Sequence, residues 1–313
     1  MELRHLRYFV AVAEELHFGR AAARLHLAQP PLSRQIRALE DEVGTSLLAR
    51  TNRRVQLTEA GQIFLEGARR TLAQADAALG DARRAARGEI GPLSLGFVGS
   101  ATYAVLPRLL RAFRAAYPDV ELHLQSLTSR EQVASLRERR IDVGLLRPPV
   151  DDPSLALRMI VREPLLAVLP EAHPLAGRER VPLAALACEP FILYRRASGP
   201  ATYDRIVGVC LQAGFSPTIV QETDEMQTMA GLVAGGLGVA LMIAPVGAPR
   251  NAGVAYKPLE DATPTWEMSL AWRQDNKTAV VRGFLPICED VAEQLAMCSA
   301  VAPRRNDDPD IHL

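Results

Sequence analysis

Two groups of side chains in this 313-residue chain have types and spacings suited to molecular recognition. The first is Gln29, Ser33, Arg34 and Arg37, which recur at helical spacing around Pro30 and Pro31. Glutamine and arginine offer paired hydrogen-bonding groups that match base edges in a major groove. Serine and further arginine match phosphate oxygens. Arg50, Arg53 and Arg54 add a second basic cluster a few residues on. The second group is Ser100, Thr102, Thr128, Ser129 and Arg147. These hydroxyls fall where helices are expected to begin, and free N–H groups there favour an anion. Arginine adds a planar fork that pairs with a carboxylate. Ser198-Gly199-Pro200 opens another helix.

Catalytic patterns are weak by comparison. Ser100 lacks a Gly-x-Ser-x-Gly setting, and the six histidines form no HExxH pair. His123 lies inside an expected strand. Gly235-Gly236-Leu237-Gly238 follows a helix and precedes a strand, the reverse of a dinucleotide-binding loop. The four cysteines (Cys188, Cys210, Cys288 and Cys298) lack metal-ligand spacing, so no metal is expected. They read as reduced thiols, with Cys188 and Cys210 the first candidates for a redox pair. The chain is not expected to be an enzyme or to need a cofactor.

The elements that must position the first group are legible. Leu3, Leu6, Phe9, Val10 and Ala13 repeat at helical spacing, and Phe18 to Leu25 reads as a short second helix. After a turn at His26 to Gln29, prolines 30 and 31 suit a first helical turn, whose N–H groups lack intrahelical partners anyway. Leu32, Ile36, Leu39 and Val43 then form one buried stripe and leave the polar set opposite. Helix, tight turn and helix describe a DNA-reading unit with its second helix in the groove. A hairpin follows, Leu47 to Arg50 and Val55 to Leu57, with a basic tip that forms a wing. Thr58 then caps a long helix running to about Arg87. Along it Leu65, Ala68, Leu72, Ala75, Leu79, Ala82 and Ala86 step alternately by three and four. That seam suits a partner helix, hence a dimer and a palindromic site.

Charge agrees once the chain is divided. Over the whole, 36 cations balance 36 acids, which gives no hint of nucleic acid. Residues 1–90 hold 14 arginines against 11 acids, a net of +3, and the remainder is correspondingly −3. The first residues lack the apolar run of a signal peptide. No uninterrupted apolar run is long enough for a membrane span, so a cytoplasmic protein without a membrane partner is expected.

From Leu93 onward strands and helices alternate. Strands are expected at Leu93–Val98, Val120–Gln125 and Ile141–Leu146, with helices between them. Leu165–Pro170 leaves this unit for a second set, with Pro190–Tyr194, a helix from Pro200, Thr218–Gln221, a helix from Asp224 and Gly238–Ile243. Trp266–Trp272 returns, and a helix over about 278–297 closes the fold. The result is two α/β lobes joined by two crossing strands, a clamp whose ligands bind beyond the strands' carboxyl ends. The expected division is 1–58 for the DNA reader and 59–90 for the linker helix. Residues 91–300 form the sensing domain (lobe I about 91–161 and 267–300, lobe II about 162–266), and 301–313 a disordered tail.

The N-terminal residues resemble the LysR-type transcriptional regulators. They are Met1 to Val10, Ala21-Ala22, Gln29 to Ile36, Leu39-Glu40, Val43-Gly44, Leu47-Leu48 and Leu57 to Gly61. Within that family Gly96 to Ser100, Thr128, Ile141-Asp142, Gly144, Arg147 and Gly231 to Ala234 look most like the muconate-responsive regulators of benzoate, catechol and chlorocatechol breakdown. The resemblance implies a winged helix-turn-helix, a linker helix and a periplasmic-binding-protein-like effector domain. It implies an inducer site at Ser100, Thr128 and Arg147, with Pro200 and Tyr203 against the ligand. It further implies a homotetramer on an interrupted palindrome in promoter DNA. That assembly recruits RNA polymerase when a small mono- or dicarboxylate such as muconate binds. The C-terminal lobes alone would also suit a carboxylate-sequestering protein, a role that leaves the N-terminal reader unexplained.

Overall fold

The computed structural model describes residues 1–50, 54–243 and 251–300, with side chains to 297. The chain forms two compact units, Met1–Arg84 and a second beginning at Ala85. The division falls inside the long helix. Arg53 and the tail 301–313 lie outside the described residues.

The first unit contains α1 (Leu3–Glu15), α2 (Phe18–Arg24), α3 (Gln29–Val43), the hairpin β1 (Leu48–Arg50) and β2 (Val55–Leu57), and α4 (Glu59–Arg87). The stripe expected on α3 is buried at Leu32, Ile36 and Leu39, while Val43 at the helix end is exposed. These residues pack with Leu6, Phe9 and Val12 of α1 and with Ala21 and Ala22 of α2, whose small side chains allow close helix approach. His17 caps α2 by accepting from Gly19 N (3.0 Å) and Arg20 N (3.2 Å). Gly44 ends α3 at φ 78°, a left-handed value that glycine adopts without strain. Thr58 caps α4 as expected, its Oγ1 accepting from Gly61 N at 2.9 Å. Gly61 must be glycine here, because a Cβ would stand 2.0 Å from the Leu47 carbonyl oxygen.

The seam along α4 divides. Ala68 is buried, and Leu65 and Leu72 are half-buried against the unit's own core. Phe64 meets Phe9 edge-on, with ring centroids 5.2 Å apart. Leu65, Ala68 and Leu72 therefore serve intrachain packing, which corrects the expectation that the whole seam faces a partner. Leu79, Ala82 and Ala86 are exposed, and Ala75 is half-exposed.

The second unit holds two five-stranded mixed sheets. The first has the order β4-β3-β5-β12-β6, from β3 (Gly91–Phe97), β4 (Val120–Ser126), β5 (Val143–Leu146), β6 (Leu155–Glu163) and β12 (Trp266–Arg273). Strands β3, β4 and β5 are parallel, and β12 runs antiparallel to both β5 and β6. Their crossover helices are α5 (Val105–Ala116) and α6 (Ser129–Arg137), and α9 (Ala279–Ala300) also packs on this sheet. The second sheet has the order β11-β7-β10-β8-β9. Its strands are β7 (Leu165–Pro170), β8 (Pro190–Tyr194), β9 (Thr218–Thr223), β10 (Val239–Ile243) and β11 (Val254–Pro258). Helices α7 (Pro200–Gln212) and α8 (Met226–Ala234) cover it on opposite faces. The chain crosses between the sheets at Pro164 and again over 259–265. Strands β6 and β11 were not expected. Their burial patterns do not alternate cleanly, so neither has the period-two signature of a half-buried strand.

Candidate nucleic-acid interface and ligand cleft

The reading face is set by which arginines have no partner. Seven arginines fall within the first fifty residues. Five are ion-paired: Arg4 with Glu2, Arg7 with Asp76, Arg20 with Glu15, Arg24 with Glu14, and Arg50 with Glu40. Arg34 and Arg37 are exposed on α3 and carry no hydrogen bond or ion pair within the described residues. Gln29 and Pro30 are exposed in the first turn of the same helix, Pro31 and Ser33 are half-exposed, and Arg54 is exposed on the hairpin. Ser33, Arg34 and Arg37 thus lie away from the buried stripe of α3, and Gln29 is exposed at the helix start, with their donors uncommitted among the described residues.

Arg50 departs from the expected set. Its guanidinium pairs with Glu40 and lies 5.2 Å from the Phe18 ring centroid, and its Nε is buried. It is turned into the unit rather than presented with the wing.

In the second unit, the carboxyl ends of β3, β4 and β5 bring together Ser100, Ser129 and Arg147. Ser100 lies in a 3-10 turn over Gly99–Tyr103, and Thr128 and Ser129 open α6. The Arg147 backbone N–H donates to Ser129 Oγ (3.0 Å), and its Nη2 donates to Ser100 Oγ (3.0 Å). The same Nη2 pairs with the Glu163 carboxylate, and Nη1 reaches the Glu267 carbonyl at 3.5 Å. Arg147 is 10% exposed and Glu163 only 1%. Burial pushes the Glu163 carboxyl up, against the opposing pull of Arg147. Glu163 was missed from sequence. Its only trace was an Arg162-Glu163 charge pair interrupting an apolar stretch next to Pro164.

Thr102 and Thr128 have local partners. Thr102 Oγ1 donates to Gly99 O at 2.6 Å. Thr128 closes a capping box with Glu131: its Oγ1 and N both donate to Glu131 Oε2 at 2.8 Å, and Glu131 N donates back to Oγ1 at 3.3 Å. These bonds hold the Glu131 carboxyl below its usual range. Pro200 is exposed in the first turn of α7. Tyr203 packs on the second sheet's core with the Arg196 guanidinium 5.9 Å from its ring centroid. No described contact joins either to Ser100 or Arg147.

A tyrosine-lined space adjoins this junction. The buried Tyr194 phenol accepts from Ile243 N and feels Arg147, Glu163 and Tyr103, and burial pushes it well above its ordinary value. Tyr103 also lines a small open depression with Met226, Gln227, Ala230, Met242, Asn251 and Tyr256. Among the described residues no group of His, Cys, Asp or Glu is arranged to hold a metal, and no helix is long and apolar enough to cross a membrane. Cys188 is exposed. Cys210 is buried in the second sheet's core, which pushes its thiol up to about 11, away from the thiolate form a redox centre uses.

A helix-turn-helix reader followed by a two-sheet domain with a nearly buried arginine at its strand ends defines a regulator that reads DNA and senses a small molecule. Residues 3–62 match the family described as "Bacterial regulatory helix-turn-helix protein, lysR family". Residues 86–293 match "LysR substrate binding domain". AlsR of Bacillus subtilis is 42% identical over 92% of this chain and 95% of its own length. CatR of Pseudomonas putida is 40% identical over 94% and 100%. Both are named HTH-type transcriptional regulators. The structure of full-length CbnR with its target DNA superposes with a TM-score of 0.83, at 32% identity over 93% of this chain and 100% of that one. The chain belongs to the LysR family of transcriptional regulators and is not an enzyme.

Proposed function

We propose that this regulator binds an interrupted palindrome in promoter DNA as a homotetramer built from dimers. It acts in the cytoplasm and activates transcription, through RNA polymerase, when a small carboxylate binds. The observation that carries the reading is the junction of Ser100, Ser129 and Arg147. It sets a nearly buried guanidinium at the ends of three parallel strands, near a small tyrosine-lined depression. Muconate and related acids of aromatic breakdown are the proposed inducers. They suit a site with one cation and neighbouring phenols, and the similarity to CatR favours that class.

The ligand's carboxylate takes Arg147 as its partner and shares or displaces Glu163. The stabilisation comes from a charge-assisted, bidentate pair in a poorly solvated place. Ser100 donates its hydroxyl to the same carboxylate once Arg147 turns to the ligand. Thr128, Pro200 and Tyr203 bound the ligand from the two lobes. Regulation requires tighter binding to one arrangement of the protein than to the other, a coupling of typically about 1–3 kcal/mol.

The test uses full-length protein and a duplex that it selects from a random-sequence pool, with anisotropy read with and without cis,cis-muconate or benzoate. Arg147→Ala is expected to retain duplex binding and lose the ligand response. Absence of any ligand response in the parent across a panel of such acids would overturn the carboxylate reading. Loss of duplex binding in Arg147→Ala would instead make Arg147 structural.

A further inference from the structure

Arg50 follows the recognition helix and leads into the basic hairpin, where a phosphate contact would be expected. Its surroundings are those of a brace. The guanidinium is ion-paired with the Glu40 carboxylate, their side chains 25% and 12% exposed respectively, and it stacks on Phe18 at the start of α2. Its Nε is buried and faces no acceptor within the described residues. Glu40 is equally committed: its Oε1 accepts from both Leu47 N and Leu48 N at 3.0 Å, and its Oε2 takes Arg50. One carboxylate on α3 therefore gathers the entry to β1 and the arginine at that strand's end. The arginine in turn touches α2. Three elements of the reader, α2, α3 and β1, meet there, and β1 is only three residues long with a single partner strand. A two-stranded ribbon of that size cannot hold its own orientation.

We infer that Glu40 and Arg50 are positioning residues for DNA binding, which fix the wing against the recognition helix through α2, and that Arg50 gives no charge to a phosphate. The same geometry separates this role from a direct contact. Each phosphate neutralised by a side chain adds about 0.9 to the slope of log K against log salt. A brace moves affinity without moving that slope.

The experiment measures anisotropy of full-length parent, Arg50→Met, Glu40→Gln and Arg34→Ala on a duplex selected by the parent from a random-sequence pool, across a salt series. Methionine keeps the stem of Arg50, and glutamine keeps the shape of Glu40 and one carbonyl acceptor. Both variants are expected to weaken binding about tenfold, the scale of a lost charged hydrogen bond, with the parent's slope. Arg34→Ala lowers the slope by about one. A slope lowered by about one in Arg50→Met overturns the inference, as does parent-like affinity in Glu40→Gln. Circular dichroism establishes which variants are folded. If Arg50→Met fails to fold, Glu40→Gln decides by its affinity; if Glu40→Gln fails, Arg50→Met decides by its slope.

Discussion

Arginine dominates the cations of this chain, so the type alone says little at any one position, and partnership does the sorting. Arg24 bonds Glu14 at 2.8 Å, and Arg34 bonds nothing within the described residues. Arg24→Ala should leave DNA affinity and its salt slope near the parent's in the anisotropy series, because an exposed pair contributes little. A lowered slope in Arg24→Ala would place it on the DNA. The reading face was legible from sequence because the buried stripe of α3 dictates what lies opposite. Arg50 was not, since only the fold brings Glu40 and Phe18 to it. Gln132 was hidden for a similar reason. Wholly buried on α6, it donates from Nε2 to Leu127 O (2.9 Å) and Leu145 O (3.1 Å), joining the two segments that lead to Ser129 and Arg147. It fits only because Gly96 and Gly144 face it: a Cβ on Gly144 would stand 2.7 Å from its Oε1. Gln132→Leu takes this donor from the Leu127 carbonyl, while Leu145 O keeps Val98 N at 2.9 Å, and should destabilise the protein by about 1 kcal/mol, read by chemical denaturation.

At the scale of elements, helices were read well and strands unevenly. A heptad seam or an amphipathic stripe repeats for several turns, whereas β6 and β11 show no regular alternation, and pairing with neighbours defines them. The seam of α4 illustrates the limit of periodicity, which fixes an apolar face without naming what covers it. Leu72 packs on the reader's own core, and Leu79 is 56% exposed. Leu72→Glu should therefore lower the unfolding midpoint. Leu79→Glu should leave helix content intact and shift sedimentation equilibrium toward smaller species; an unchanged mass would remove the distal seam from the interface. The cap of α6 gives a sharper case. Thr128→Ala keeps the backbone N–H that chiefly holds the Glu131 carboxyl low, but removes a hydroxyl that caps the helix and adds to that lowering. The cap is worth about 1 kcal/mol. Glu131 stabilises the fold above its unfolded value, and this is lost as pH falls through its lowered folded value. In Thr128→Ala the Glu131 titration, followed by NMR, should move part of the way up toward the ordinary carboxylate range.

For the whole molecule, zero net charge conceals a basic reader, in which Arg34 and Arg37 have no partner among the described residues, and a sensing domain whose central cation is already neutralised. That neutralisation sets how a ligand acts. Arg147 and Glu163 form a pair in which neither ion is solvated, so the ligand's carboxylate competes with an internal one. Glu163→Gln should expose the competition. Removing one member of a buried pair leaves the other uncompensated and costs about 3 kcal/mol. The ligand-free variant should therefore unfold at a lower temperature than the parent. Benzoate then supplies the missing charge, so its thermal shift should be larger in Glu163→Gln than in the parent at equal concentration. The pH dependence follows from the same group. Its folded value is raised, so the folded state holds a proton that the unfolded chain has released, and its contribution to stability falls as pH rises above the ordinary carboxylate range. That slope should be absent from Glu163→Gln in thermal unfolding followed as pH rises above the ordinary carboxylate range. A smaller benzoate shift in the variant would mean that Glu163 helps to bind the ligand rather than competing with it.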